Sequence, residues 1–250
     1  MNRVVSTALL WILPACLCSD AALAQWSGRA TASMGRSYGN LALSQSILSG
    51  TRRLGEAAPL RRAASPPALT TSAQIDAALS YTADPQRSER TRATMIEVMS
   101  GSDAALRAEL ERAFADNAVL KEFERVMSEN GYSSRNIADD MTVLLQVSWE
   151  TFSGSTASKA QIQGIRQQVL GIFLGTPALR TMINAERQDW AERIAYQVVL
   201  GTLSRQEALR SGDPARIKQA RQSAATMLLT QVGIDMSQLR LTEQGFRKKS

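Results

Sequence analysis

Between Ser133 and Phe152 the chain reads SSRNIADDMTVLLQVSWETF. Ile137, Met141, Leu144, Leu145, Ser148 and Phe152 form one stripe at helical spacing, and Val143, Val147 and Trp149 widen it past what a one-sided surface helix needs. A helix of this kind has to be enclosed by other elements, so the stretch predicts a bundle built around it. Ser133 or Ser134 is placed to cap its start, because a serine oxygen accepts from an early N–H that has no intrahelical partner. Asp139 and Asp140 sit near that end, where the helix dipole favours negative charge. Gly154 suits the left-handed position that closes a helix.

From Thr71 onward nearly every segment has helical period and strand-like alternation is almost absent. A short helix is expected over 72–81, with Pro85 breaking the chain before a second over 88–100. Asp103 caps a third, with Leu106, Leu110 and Phe114 as its stripe. Asp116 or Asn117 recaps or kinks the path before Phe123 and Met127, and Asn130-Gly131 is a stop signal. After the central helix, residues 159–174 carry Ile162, Ile165, Val169 and Phe173. Gly164 and Gly171 lie on the same helix, and a glycine pair there points to a close backbone neighbour, since each costs about 1 kcal/mol relative to alanine. Thr176-Pro177 and Asp213-Pro214 each combine a cap with a proline in the first turn, so they open the last two long helices, closed by Gly212 and Gly233. The fold class is all-α: a single compact bundle of six to eight helices over 71–233. Connections are short, so neighbouring helices are expected to be mostly antiparallel. Residues 234–250 read as an irregular strap with a basic end.

The N-terminal part has a different character. Residues 1–24 have the pattern of an export signal: Arg3, an apolar run from Val4 to Leu13, and Ala22-Leu23-Ala24 as cleavage site. The apolar run is too short to span a bilayer, so no transmembrane span is expected after signal removal. Lipidation at Cys16 is an alternative, which the proline two residues before it fits poorly. Residues 25–70, rich in Ala, Ser, Arg and Pro, read as a disordered basic tail. Both cysteines, Cys16 and Cys18, belong to the signal, and the chain has no histidine. Cleavage after Ala24 leaves neither thiol nor imidazole, which excludes Cys–His and Ser–His–Asp catalysis, Cys/His zinc sites and haem held by those residues. No cofactor and no metal site is expected: no phosphate-binding or dinucleotide loop and no calcium loop is present.

The formal net charge of +6 is uneven. Residues 25–70 hold six arginines against Glu56, residues 71–246 hold 19 basic against 21 acidic side chains, and Arg247, Lys248 and Lys249 follow. The basic character belongs to the two ends and not to the body. That does not point to nucleic acid, which calls for a basic patch on a folded surface. It fits solubility, or attraction to an anionic envelope polymer.

Asp139, Thr142, Gln146 and Glu150 are spaced 3, 4 and 4 along the central helix and make one polar line. The first reading is a solvated face; the other is a buried polar groove for a ligand, an oxygen-preferring cation or a carboxylate pair. Asp139 and Glu150 lie about 16 Å apart along a helix axis, too far for an acid/base pair, which needs roughly 5–9.5 Å. The best outside partner is the segment from Asn184 to Arg193, which clusters Glu186, Asp189 and Glu192 beside Trp190.

Gly131-Tyr132, then Asn136-Ile137-Ala138-Asp139-Asp140, then Trp149-Glu150 resembles the central pattern of an uncharacterised family of exported bacterial all-helical proteins. The resemblance covers roughly 90–232, implies compartment and fold, and adds no catalytic residue. The expected function is a non-enzymatic binding or accessory module, periplasmic or extracellular, whose partner is an unidentified protein or an anionic envelope polymer. The alternatives are a carboxylate-dependent enzyme on cell-wall glycan using Glu150 or Glu186, and a subunit of a helical envelope assembly using the Gly164/Gly171 face.

Overall fold

The computed structural model describes residues 72–176, 179 and 182–249. The export signal and the basic tail lie outside the described residues, as does Pro177. Eight α-helices are described: α1 (Ser72–Leu79), α2 (Pro85–Ser100), α3 (Ala104–Ala113), α4 (Ala118–Glu129), α5 (Ile137–Ser153), α6 (Lys159–Gly175), α7 (Asn184–Ser211) and α8 (Pro214–Val232). The all-α reading stands.

α5 is the central element. Twelve of its residues are buried, from Ile137 to Thr151, and it packs against α6, α7 and α8. Its cap is Asn136, whose side chain accepts from Ala138 N at 3.0 Å, and not Ser133 or Ser134. The serines are displaced because Asn136 is held in extended backbone, paired with Ser80 across a β-bridge. Gly154 closes α5 at φ 75°. α5 and α6 are antiparallel, with Asp139 near the start of one paired to Arg166 on the other. α7 and α8 are antiparallel too, joined by Gln197–Gln231. α5 and α7 run parallel: Asp140 and Glu192 both act on Tyr81 at one end, while Glu150 reaches toward Arg205 at the other.

Pro85 does not break the chain but starts α2 at its first turn, where the missing N–H costs nothing, with Asp84 accepting from Gln86 N. Asp116 and Asn117 both take positive φ, 52° and 56°, and kink the path between α3 and α4. This puts Phe114 against Tyr196 of α7 at 5.1 Å between ring centroids. α7 begins at Asn184 and not at Pro177, because Ile183 is extended and the Glu186 carboxylate accepts its N–H at 3.0 Å.

The C-terminal segment is not irregular. A 3₁₀ turn (Met236–Gln238) leads into a hairpin of β1 (Leu239–Thr242) and β2 (Gly245–Lys248), antiparallel in the register Leu239–Lys248, Arg240–Arg247, Leu241–Phe246 and Thr242–Gly245. Leu241 and Phe246 are buried and join the core. Four residues per strand are too short for alternation to stand out from loop sequence.

The hairpin lies on α6 where two glycines face each other. A Cβ on Gly164 would meet the backbone of Glu243 and Gly245, and one on Gly245 would stand 2.9 Å from Gly164 O. Gly171 has nothing within 4 Å of its Cβ position. The pair therefore does not form one helix-packing face: Gly164 admits a strand and Gly171 is open.

Candidate functional site

The polar line of α5 is not a solvated face. Asp139 is 5% exposed, Thr142 is fully buried and Glu150 is 6% exposed, with Gln146 half-buried. α6, α7 and α8 close over α5 from three sides, which leaves no solvated stripe of helical width.

Each acid of the line is bound. Asp139 accepts Arg166 Nε at 2.7 Å and Ser133 N at 3.1 Å, tying α6 and the α4–α5 connection to the start of α5. Thr142 Oγ1 donates back to Ala138 O at 2.7 Å. Glu150 accepts from Ala157 N at 3.0 Å and Gln146 Nε2 at 3.2 Å, and so fastens the α5–α6 loop, with Arg205 at 4.0 Å.

Glu186 and Asp189 are elsewhere. Glu186 caps α7, and Asp189 pairs with Arg87 of α2 at 2.7 Å. Because α5 and α7 are parallel with Glu150 opposite Arg205, Glu186 lies 19 residues back along α7, about 28 Å at 1.5 Å per residue. The segment from Asn184 to Arg193 therefore supplies no acid/base partner to Glu150.

That segment instead presents Asn184, Gln188 and Glu192, spaced four apart, to the α1–α2 loop and the start of α2. Asn184 exchanges two hydrogen bonds with the backbone of Thr82, at 2.7 and 2.8 Å. Gln188 does the same with Asp84, at 2.9 and 2.8 Å, and also donates to Glu192 Oε1 at 2.8 Å. Ser88 Oγ donates to the same oxygen at 2.5 Å. Arg187 NH1 adds a bond to Ser80 O at 2.9 Å, and burial lowers the affinity of its guanidinium for its proton. Of these residues sequence reasoning reached only Glu192 as a site candidate. The spacing of Asn184, Gln188 and Glu192, with Ala191, Ile194 and Ala195 beside them, was the available signal.

Among the described acids Asp140 stands apart. It is 0% exposed, and neither carboxylate oxygen has a hydrogen-bond partner among the described residues. Burial, reinforced by the neighbouring Asp139 charge and opposed by Arg135, pushes its carboxyl well above the usual carboxylate range. The fold thus shifts this carboxyl toward its neutral form. Tyr81 lies close by, donating to Ser134 O at 2.9 Å beneath the Arg135 guanidinium, and its phenol is pushed up by burial and then by Asp140. Nearer α2, Glu192 Oε2 and Tyr196 OH are also buried with no hydrogen-bond partner among the described residues. A narrow crevice of about 40 Å³ separates α5, α7 and α8, lined by apolar side chains such as Leu144, Val147 and Met227 together with Ser148, Ser204 and Ser223.

Among the described residues no group of three acids, histidines or cysteines is placed to hold a metal ion, and no helix is long and apolar enough to cross a membrane. No curated protein and no solved structure matches the chain. Residues 8–249 match a family of unknown function, DUF6683, and with nearly the whole chain covered this protein belongs to that family.

Proposed function

We propose that the chain is an exported helical module that works in the cell envelope by binding and not by catalysis. What supports this is the use made of the acids that a hydrolytic reading requires. Glu150 fastens the α5–α6 loop, Glu186 caps α7, Asp139 is paired with Arg166 and Asp189 with Arg87. A carboxylate that caps a helix or neutralises a partner gives up that interaction when it takes a proton, so general acid/base cycling at these positions would loosen the fold. The export part of the reading rests on the Arg3, Val4–Leu13 and Ala22-Leu23-Ala24 pattern. An anionic envelope polymer as its partner is supported by basic ends attached to a body with a slight acid excess.

The test is in-cell crosslinking of the tagged full chain in its own host, with mass spectrometry of what copurifies. A dominant protein or anionic polymer recovered from the envelope fraction is the expected result. Turnover of cell-wall glycan by the purified chain, lost in Glu150→Gln or Glu186→Gln, would overturn the reading.

A further inference from the structure

We infer that the outward face of the C-terminal hairpin, together with the exposed turn of α6 beside it, is a contact surface for anionic phospholipid headgroups. The inference deepens the binding reading above and rests on it. In the antiparallel register Arg240 stands directly opposite Arg247, and both are exposed. Residues so paired share a face, with Cβ atoms about 5 Å apart, and like charges at that spacing repel. Neither arginine side chain makes a hydrogen bond or ion pair with any described residue. Lys248, next to Arg247, is exposed and equally unpaired. The one acid on the hairpin, Glu243, is at the opposite end, in the turn, and Asp235 is taken up by Ser237.

The platform beneath is firm. Gln168 clamps Phe246 by accepting its N–H at 2.9 Å and donating to its carbonyl at 3.2 Å, and Gln161 donates to Leu241 O at 3.2 Å. A repulsive pair held on a fixed hairpin is relieved by an anion between the two guanidinium groups, and a phosphate fits that fork geometry.

The neighbouring apolar residue selects lipid over a soluble polyanion. The contact with the hairpin advances along α6 from Gly164 at Gly245 to Gln168 at Phe246. The next turn of α6, about 6 Å on, carries Gly171 and Ile172 toward the basic end of β2. Ile172 is 56% exposed, and Gly171 adds no side chain to cover it. An exposed isoleucine near a hairpin whose outward face carries two unpaired arginine side chains suits a headgroup layer, which takes both at once. A soluble polyphosphate offers nothing to the isoleucine.

The experiment is co-sedimentation of the full chain with vesicles of phosphatidylcholine alone and of phosphatidylcholine with phosphatidylglycerol, at low and high salt. A soluble polyphosphate is titrated in parallel. Binding confined to the anionic vesicles and weakened by salt is expected. Each basic residue near an anionic surface contributes roughly fivefold in partition, so Arg240→Gln with Arg247→Gln should lose about 25-fold. Arg240→Lys with Arg247→Lys should lose far less, and Ile172→Ser should weaken vesicle binding without changing polyphosphate binding. Unchanged circular dichroism in all three variants separates loss of binding from loss of fold. A Gln pair that binds anionic vesicles like the parent would overturn the inference and assign the affinity to residues 25–70. So would binding to polyphosphate but not to vesicles. Copurification in cells that survives the Gln pair would leave the module reading standing while this surface falls.

Discussion

Gly164 and Gly171 make opposite predictions from the same substitution. Alanine in a helix is favoured over glycine by about 1 kcal/mol. At Gly171 a Cβ meets nothing within 4 Å, so Gly171→Ala should raise stability by up to ~1 kcal/mol. At Gly164 the new carbon would stand 2.7 Å from the backbone carbon of Glu243 and closer still to Glu243 O and Gly245 N. These are backbone atoms on a clamped hairpin and cannot turn aside. Carbon contacts relax at about 3.5–4 Å, so the hairpin has to lift by nearly 1 Å. That stretches three bonds made by Gln168 and Gln161, each contributing about 1 kcal/mol, and loosens buried Leu241 and Phe246. Overpacking of this size costs about 1–3 kcal/mol. Adding the roughly 3 kcal/mol of the three bonds to the overpacking cost and subtracting the helix gain of about 1 kcal/mol, Gly164→Ala should lose about 3–5 kcal/mol. Urea denaturation followed by circular dichroism gives both values, and amide exchange at Phe246, whose N–H is held by Gln168, reports whether the hairpin has lifted. If the two variants agree within about 0.5 kcal/mol, or if Phe246 exchange is unchanged in Gly164→Ala, the seating argument is wrong.

Three further outcomes follow from the buried polar groups. For Asp140 the folded carboxyl titrates above its unfolded value, so the fold binds more protons than the unfolded chain, and stability falls as pH rises from about 4 toward the folded value by up to ~1.4 kcal/mol per unit. Asp140→Asn removes that slope, and the difference between variant and parent in pH-dependent denaturation should grow with pH over this window. A pH-independent difference would contradict it. Gln188→Ala takes away two bonds to Asp84 and one to Glu192 in a fully buried setting, and should cost roughly 2–4 kcal/mol, read as a fall in Tm that Glu186→Gln on the exposed side does not share. Arg166→Met leaves Asp139 with one backbone donor. Because Arg166 is a quarter exposed, water screens part of the pair, and the expected loss is about 1–3 kcal/mol, read as a lower urea midpoint.

The elements that rest on local chemistry were legible in the chain. Gly154, Gly212 and Gly233 close their helices in left-handed geometry, and Asp103 and Asp213 cap theirs, because caps and stops depend on a few neighbouring residues. The width of the apolar face on α5 announced that it would be enclosed. The candidate site was less legible. Periodicity gave Asp139, Thr142, Gln146 and Glu150 one face, but a helical face is solvated or buried according to what lies over it. Likewise Glu186 and Asp189 stand out as acids beside a tryptophan, whereas Asn184, Gln188 and Glu192 bind the α1–α2 loop and α2; their spacing marks one face, and the path of the α1–α2 loop decides what that face meets.

Helix content, the helix ends marked by Gly154, Gly212, Gly233, Asp103 and Asp213, and the uneven charge were thus determined by the sequence alone, since propensity, capping and side-chain charge act within a few residues. Tertiary structure decided the rest: the parallel run of α5 and α7, the burial of Asp140, the different fates of Gly164 and Gly171, and the folding of 239–248 into a hairpin. Those are set by which surfaces meet. A four-residue strand is fixed by its partner strand and by the glycine beneath it, both of which lie outside any local window of sequence.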